Sequence, residues 1–162
     1  MNPFQTSYGA EPTAGLPGQL RANIPGEQIG SKAATEEIPF GRLCVYDADA
    51  KKVKLPDLAA DVTNLSAGFA IQDTSRQQNS SGSGAYQTQE MVSLLKVGQI
   101  FVETIDAAPL NGLVYVVVGA GANQGKVAST AGGGTLLKGA RFVETVLAVA
   151  GTCIVEYNHL GN

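Results

Sequence analysis

Apolar and polar residues alternate in short stretches along most of this chain, the period-two pattern of strands with one buried face. The clearest case is Leu43-Cys-Val-Tyr46, a polar turn at Asp47-Ala-Asp49-Ala50, and then Lys52-Val-Lys-Leu55. Leu43 and Val45 should face one side and Cys44 and Tyr46 the other. The second strand should keep its lysines wet. Pro39 and Pro56 suit the entry and exit of this hairpin, because a proline within a ladder removes a donor.

Downstream, residues 57–64 read as a polar connection and Gly68-Phe-Ala-Ile-Gln-Asp73 as a short strand. Residues 74–84 are rich in Ser, Gln and Gly and read as a surface loop. Residues 85–95 would tolerate a helix, but a strand from about Glu90 is favoured. Lys96-Val-Gly98 then makes either a corner or a glycine bulge within one long strand. Ile100, Val102 and Thr104 should share one face, and Gln99, Phe101 and Glu103 the other. Leu113-Val-Tyr-Val-Val-Val118 has the length and β-branching of a central strand. Val127, residues 141–146 and residues 152–157 mark further strands. About seven or eight short strands, glycine-bearing loops and no secure helix predict an all-β fold, an antiparallel sandwich or small barrel.

Residues 1–36 differ. Pro3, Pro12, Pro17 and Pro25 stand among several glycines, a density that argues against a long helix or a central strand. Phe4, Tyr8, Leu16, Leu20, Ile24 and Ile29 nevertheless recur singly through the segment. The expected organisation is an extended N-terminal arm over 1–36 and a β-domain over 37–162, with those six residues filling pockets on a partner. Ordering an arm costs about 1–2 kcal/mol per residue, so it implies a tight assembly.

Composition supports a β-protein with covered surfaces: 44% of residues are hydrophobic, only 15% are charged, and 20 are glycine. The net charge of −3 argues against gripping nucleic-acid backbone. The N-terminus lacks the basic start and apolar run of a signal peptide. No apolar run is long enough for a membrane span, so a protein made in the cytoplasm is expected. Cys44 and Cys153 fall within strand-like segments and read as buried thiols.

No catalytic pattern is complete. Gly119-Ala-Gly-Ala-Asn-Gln-Gly125-Lys126-Val127 resembles a phosphate loop, but Ala120 and Val127 stand where glycine and Ser or Thr belong, and no helix can follow. A hairpin loop is the better reading. Asp47-x-Asp49 is followed by Lys51 and Lys52 where a calcium loop needs a ligand and a glycine. His159 is the only histidine, too little for a triad or a zinc site. No enzyme, cofactor or metal site is expected.

Several stretches, in order, resemble the structural cement (capsid decoration) proteins of tailed bacteriophages. They are Gly15-Leu-Pro-Gly-Gln19, Ile38-Pro-Phe-Gly-Arg42, Val53-Lys-Leu-Pro56, the strand from Gly68 to Asp73, Val92 to Val102, Leu113 to Val118, and Gly139-Ala-Arg-Phe142. Two places depart from the family pattern: Ala107-Ala-Pro-Leu-Asn-Gly112 replaces its Gly-Asp-Pro, and the loop at 74–84 is individual. The resemblance implies a virion protein on the capsid outer surface that cements neighbouring major capsid proteins. It would act as a homo-oligomer, a trimer favoured over a dimer, with no nucleic-acid or membrane partner. A glycan-binding β-module of a virion adhesin is the alternative, weakened by the absence of tryptophan.

Overall fold

The computed structural model describes residues 15–21, 25–73, 84–146 and 151–159. Its strands run in chain order as β1 (Gln28–Ala34), β2 (Ile38–Pro39), β3 (Leu43–Tyr46), β4 (Lys52–Lys54), β5 (Ser66–Ala70), β6 (Ala85–Tyr86), β7 (Met91–Thr104), β8 (Leu113–Val116), β9 (Val127–Ala128), β10 (Thr135–Phe142) and β11 (Gly151–Asn158). One short helix, α1 (Ala59–Leu65), and a single 3-10 turn at Ala131–Gly133 complete the described elements.

The organising element is β7, at 14 residues about 46 Å of extended chain. Its first half pairs with β1 and β5, and β1–β4–β3–β5–β7 closes on itself as a five-stranded barrel. Its second half pairs with β11 over eight positions, from Thr104 opposite Gly151 to Val97 opposite Asn158. From β11 the sheet continues through β10, β8 and β9, and β9 returns to β7 beside Thr104. The two halves meet at a bulge. Gln28 pairs with Val97 but Ile29 with Leu95, which leaves Lys96 extra, and Gly98 takes φ +144°. Of the two expectations for this stretch, the bulge within one strand is what forms.

Packing follows the alternation. In β3, Cys44 joins Ala34, Val53, Val92 and Leu94 in one buried cluster, capped by Ile38, Phe40 and Tyr86. Leu43, from the other face of the same strand, joins Phe69 and Leu95 in a larger cluster. That cluster also holds Ile100, Val102, Val114, Val116, Leu137, Phe142, Val155 and Tyr157. The core of the second half is therefore built against the outer wall of the barrel. The two cysteines are free and buried, Cys44 in the first cluster and Cys153 in the second.

The predicted hairpin forms as β3 and β4, Val45 opposite Lys54 and Tyr46 opposite Val53. Three expectations need correction. Residues 28–34 form β1, paired on both sides to β4 and β7, despite the surrounding glycine and proline. Its Gly-Ser-Lys-Ala-Ala sequence has too little apolar contrast to show a period. The connection after Pro56 contains α1, because the Asp61 carboxylate accepts from the Asp57 and Leu58 amides at 3.1 and 3.0 Å while Val62 is buried. Residues 141–146 are not a strand of their own; β10 begins at Thr135 and ends at Phe142. Leu137 and Phe142 are both buried although of opposite parity, because the register shifts between Leu136 and Arg141 around Gly139, which has φ +71°. As expected of a central strand, β8 pairs on both edges, with β10 and β9; Val114 and Val116 are buried and Leu113 is 58% exposed.

Candidate partner-binding surface

The described part of the N-terminal segment, residues 15–21, begins with a turn. Gln19 N–H donates to Leu16 O at 2.9 Å, with Pro17 and Gly18 (φ +83°) at the corner, the combination a type II turn requires. The chain then lies along β7: Gly18 N–H donates to Phe101 O, Phe101 N–H to Gln19 O, and Arg21 N–H to Gln99 O, at 2.8–3.0 Å. Gln72 N–H donates to Gly18 O at 2.7 Å.

The two motifs at 15–19 and 38–42 meet here. A Cβ on Gly41 would lie 2.8 Å from Gly18 N, and one on Gly18 would lie 2.8 Å from both Gln72 N and Phe40 Cβ. Both glycines have positive φ, so neither the conformation nor the space admits a side chain. These motifs join the N-terminal segment to the barrel.

Arg42, the last residue of the second motif, is 8% exposed. Its Nη1 donates to Gln124 O at 2.7 Å and its Nη2 to Ala122 O at 3.0 Å. Nη2 also lies 3.5 Å from Glu103, which Lys126 meets from 3.1 Å. Burial lowers the Arg42 pKa and Glu103 partly restores it. The loop between β8 and β9 is thus held by a guanidinium from beneath. The same loop carries the phosphate-loop look-alike, and its structure is a β8–β9 hairpin connection, as expected. Gln124, also buried, donates through Nε2 to Pro56 O and Asp57 Oδ1 at 3.2 and 2.9 Å.

A side-chain ladder crosses the outer face of β7, β11 and β10. Arg21 Nη1 donates to Gln99 Oε1 at 3.1 Å, Gln99 Nε2 to Glu156 Oε2 at 3.0 Å, and Arg141 Nη2 to Glu156 Oε1 at 3.0 Å. The Gln99 hydrogen bond, followed by Arg141, holds the Glu156 carboxyl below its usual range. Leu113 is the next cross-strand neighbour, opposite Arg141, and Leu136 sits opposite Tyr115.

Of the six arm residues singled out in the sequence, Phe4, Tyr8 and Ile24 lie outside the described residues. Leu16 and Ile29 are 52% and 53% exposed, Ile29 on β1. Leu20 is half-buried against the larger core and bridges Ile100. Of the described three, Leu20 therefore packs inward while Leu16 and Ile29 stay exposed. The structure adds exposed apolar residues that the sequence reading passed over: Leu58 just before α1 and Leu65 at its end, Leu110 ahead of β8 and Leu113 at its start, and Leu136 and Met91. Strict alternation through β8 would have marked Leu113.

The groups considered for chemistry are engaged elsewhere. Asp47 and Asp49 accept from the amides of Ala48 and Lys51 at 2.8 and 3.0 Å, which shapes the hairpin turn. His159 Nδ1 lies 3.2 Å from the Tyr157 hydroxyl, and burial, then Lys96, lowers its pKa. Tyr157 OH lies 3.2 Å from Ser66 Oγ deep in the core.

No curated protein matches the chain. A chain in the solved capsid of Myoviridae phage XM1 shares the fold, with a TM-score of 0.71 at 20% identity over 96% of this chain and 97% of that one. The model of the structural cement protein family (E217 gp24/Pam3 gp6) matches residues 4–158. With that match spanning nearly its full length, including the strap at 15–21 and the Arg42 anchor, the chain belongs to the phage structural cement protein family.

Proposed function

We propose that this protein binds the outside of an assembled icosahedral phage shell and bridges neighbouring major capsid proteins. As a family member it is a structural protein of the virion capsid. The carrying observation is the family match over residues 4–158. The geometry agrees with it: a closed barrel, a strap seated on β7, and surface groups spent on structural bonds. The physical action is linkage. A protein that binds the assembled shell and not its free subunits adds its binding free energy to the cost of disassembly.

In this reading the segment before β1 reaches neighbours, with Leu20 seating the strap at 15–21 on its own barrel and β1 remaining a barrel strand. Phe4, Tyr8, Leu16, Ile24 and Ile29 are left to contact a coat subunit or a sister copy. A homo-oligomer, with a trimer favoured, would repeat that contact around a symmetry axis of the shell.

Co-sedimentation with shells that lack this protein tests the proposal. The full chain should pellet with shells, and replacing Phe4 and Tyr8 by alanine should weaken pelleting without changing the melting temperature. A full chain that stays in the supernatant would refute the function.

A further inference from the structure

The loop joining β8 to β9 has an unusual division of its backbone groups. Five consecutive carbonyl oxygens are taken by donors from the protein itself. Gly121 O accepts from Gln124 N–H at 3.1 Å, and Asn123 O from Lys126 N–H at 3.0 Å. Ala122 O and Gln124 O accept from Arg42, and Gly125 O from Leu43 N–H at 3.0 Å. The amides of Ala120, Gly121, Ala122 and Asn123 donate to no described residue, and these four residues are exposed. Their side chains are small. The tip therefore presents a donor-rich stretch of backbone with little above it.

Such a tip would ordinarily be mobile, since Ala and Gly side chains cannot pack it down. Here it is braced. Gly119 N–H donates to Pro56 O at 3.2 Å, Gln124 reaches Pro56 and Asp57, and the Arg42 fork grips two carbonyls. The brace is costly: Arg42 is buried, and its Nε makes no hydrogen bond to a described residue. Rigidity in an exposed loop lowers the ordering cost of binding.

We infer that the Ala120–Asn123 tip is a preformed contact element that seats against hydrogen-bond acceptors of a shell subunit, either backbone carbonyls or carboxylates. This rests on the capsid-binding reading above. The donors are unpaired among the described residues of an exposed tip, and small side chains let a partner's backbone come within hydrogen-bonding distance of them. Arg42 acts as a positioning residue: it touches the loop, not the partner.

Ala122→Glu and Ala120→Glu place a bulky acceptor over the donors at exposed positions where folding is not involved. Each should lower shell affinity in the sedimentation assay by at least about tenfold, the loss of one or two hydrogen bonds, with melting unchanged. Ala122→Arg separates the two acceptor sources. It should lose as much if the acceptors are carbonyls in a tight seat, and clearly less if they are carboxylates. If both glutamate variants bind shells like the parent chain while melting normally, the tip is not in the interface and the inference fails alone. If the parent chain does not bind shells at all, it falls together with the function.

Discussion

Arg42→Met removes a buried guanidinium and replaces it with a flexible apolar chain of similar length. The hydrogen bond to Gln124 O, 2.7 Å and buried, leaves a carbonyl with no substitute donor, a loss of about 1–3 kcal/mol. The bond to Ala122 O, part-buried at 3.0 Å, contributes a further ~0.5–1.5 kcal/mol, since water can reach that exposed residue. Glu103 keeps Lys126 at 3.1 Å, so no carboxylate is stranded. Relief of guanidinium desolvation offsets part of the loss. A net destabilisation of about 2–3 kcal/mol follows, which for a chain of this size lowers the melting temperature by roughly 4–12 °C. Scanning calorimetry measures it. Glu103→Gln serves as the comparison and should cost under about 1 kcal/mol, because that side chain is 38% exposed. A melting temperature for Arg42→Met within about a degree of the parent would refute the bracing argument.

Two further outcomes are expected. Gly18→Ala forces a side chain into a positive-φ position 2.8 Å from Gln72 N and Phe40 Cβ. It should cost about 1–3 kcal/mol and speed amide exchange at Phe101, whose partner is Gln19 O; unchanged exchange would show that the strap is held by other contacts. Burial raises the Cys44 thiol well above its ordinary range and pushes Cys153 up to about 12, and both are enclosed. Neither should react with a thiol reagent at neutral pH until denaturant is added, so rapid labelling of the native protein would contradict the core described above.

Much of the fold was legible because β-alternation is a local property. Leu43 to Tyr46, Lys52 to Lys54 and the second half of β7 each show their faces within a few residues. The places where reading failed are those where a distant partner sets the conformation. β1 has almost no apolar contrast and exists because β7 and β4 offer pairing on both edges. α1 begins because one aspartate satisfies two amides, a local signal obscured by the polar residues around it. In β10, a glycine at positive φ reverses the alternation midway, so half of the strand was missed.

The candidate surface divides in the same way. The apolar spacing of the arm was visible as isolated residues in a glycine- and proline-rich segment, but where each one goes was not. Leu20 turns inward and Leu16 and Ile29 stay outside; sequence spacing alone cannot distinguish these environments.

By itself the sequence determined the β-class, the position of the hairpin at 43–54, and the family marks at 15–19 and 38–42. Only the tertiary structure decided that those marks touch, through Gly18 and Gly41, and that Arg42 reaches a loop 80–82 positions away. Side-chain period is written along a strand, whereas pairing, closure of the barrel and the destination of a guanidinium depend on which distant segments meet. That meeting is chosen by the combined burial of all the strands, not by any one of them.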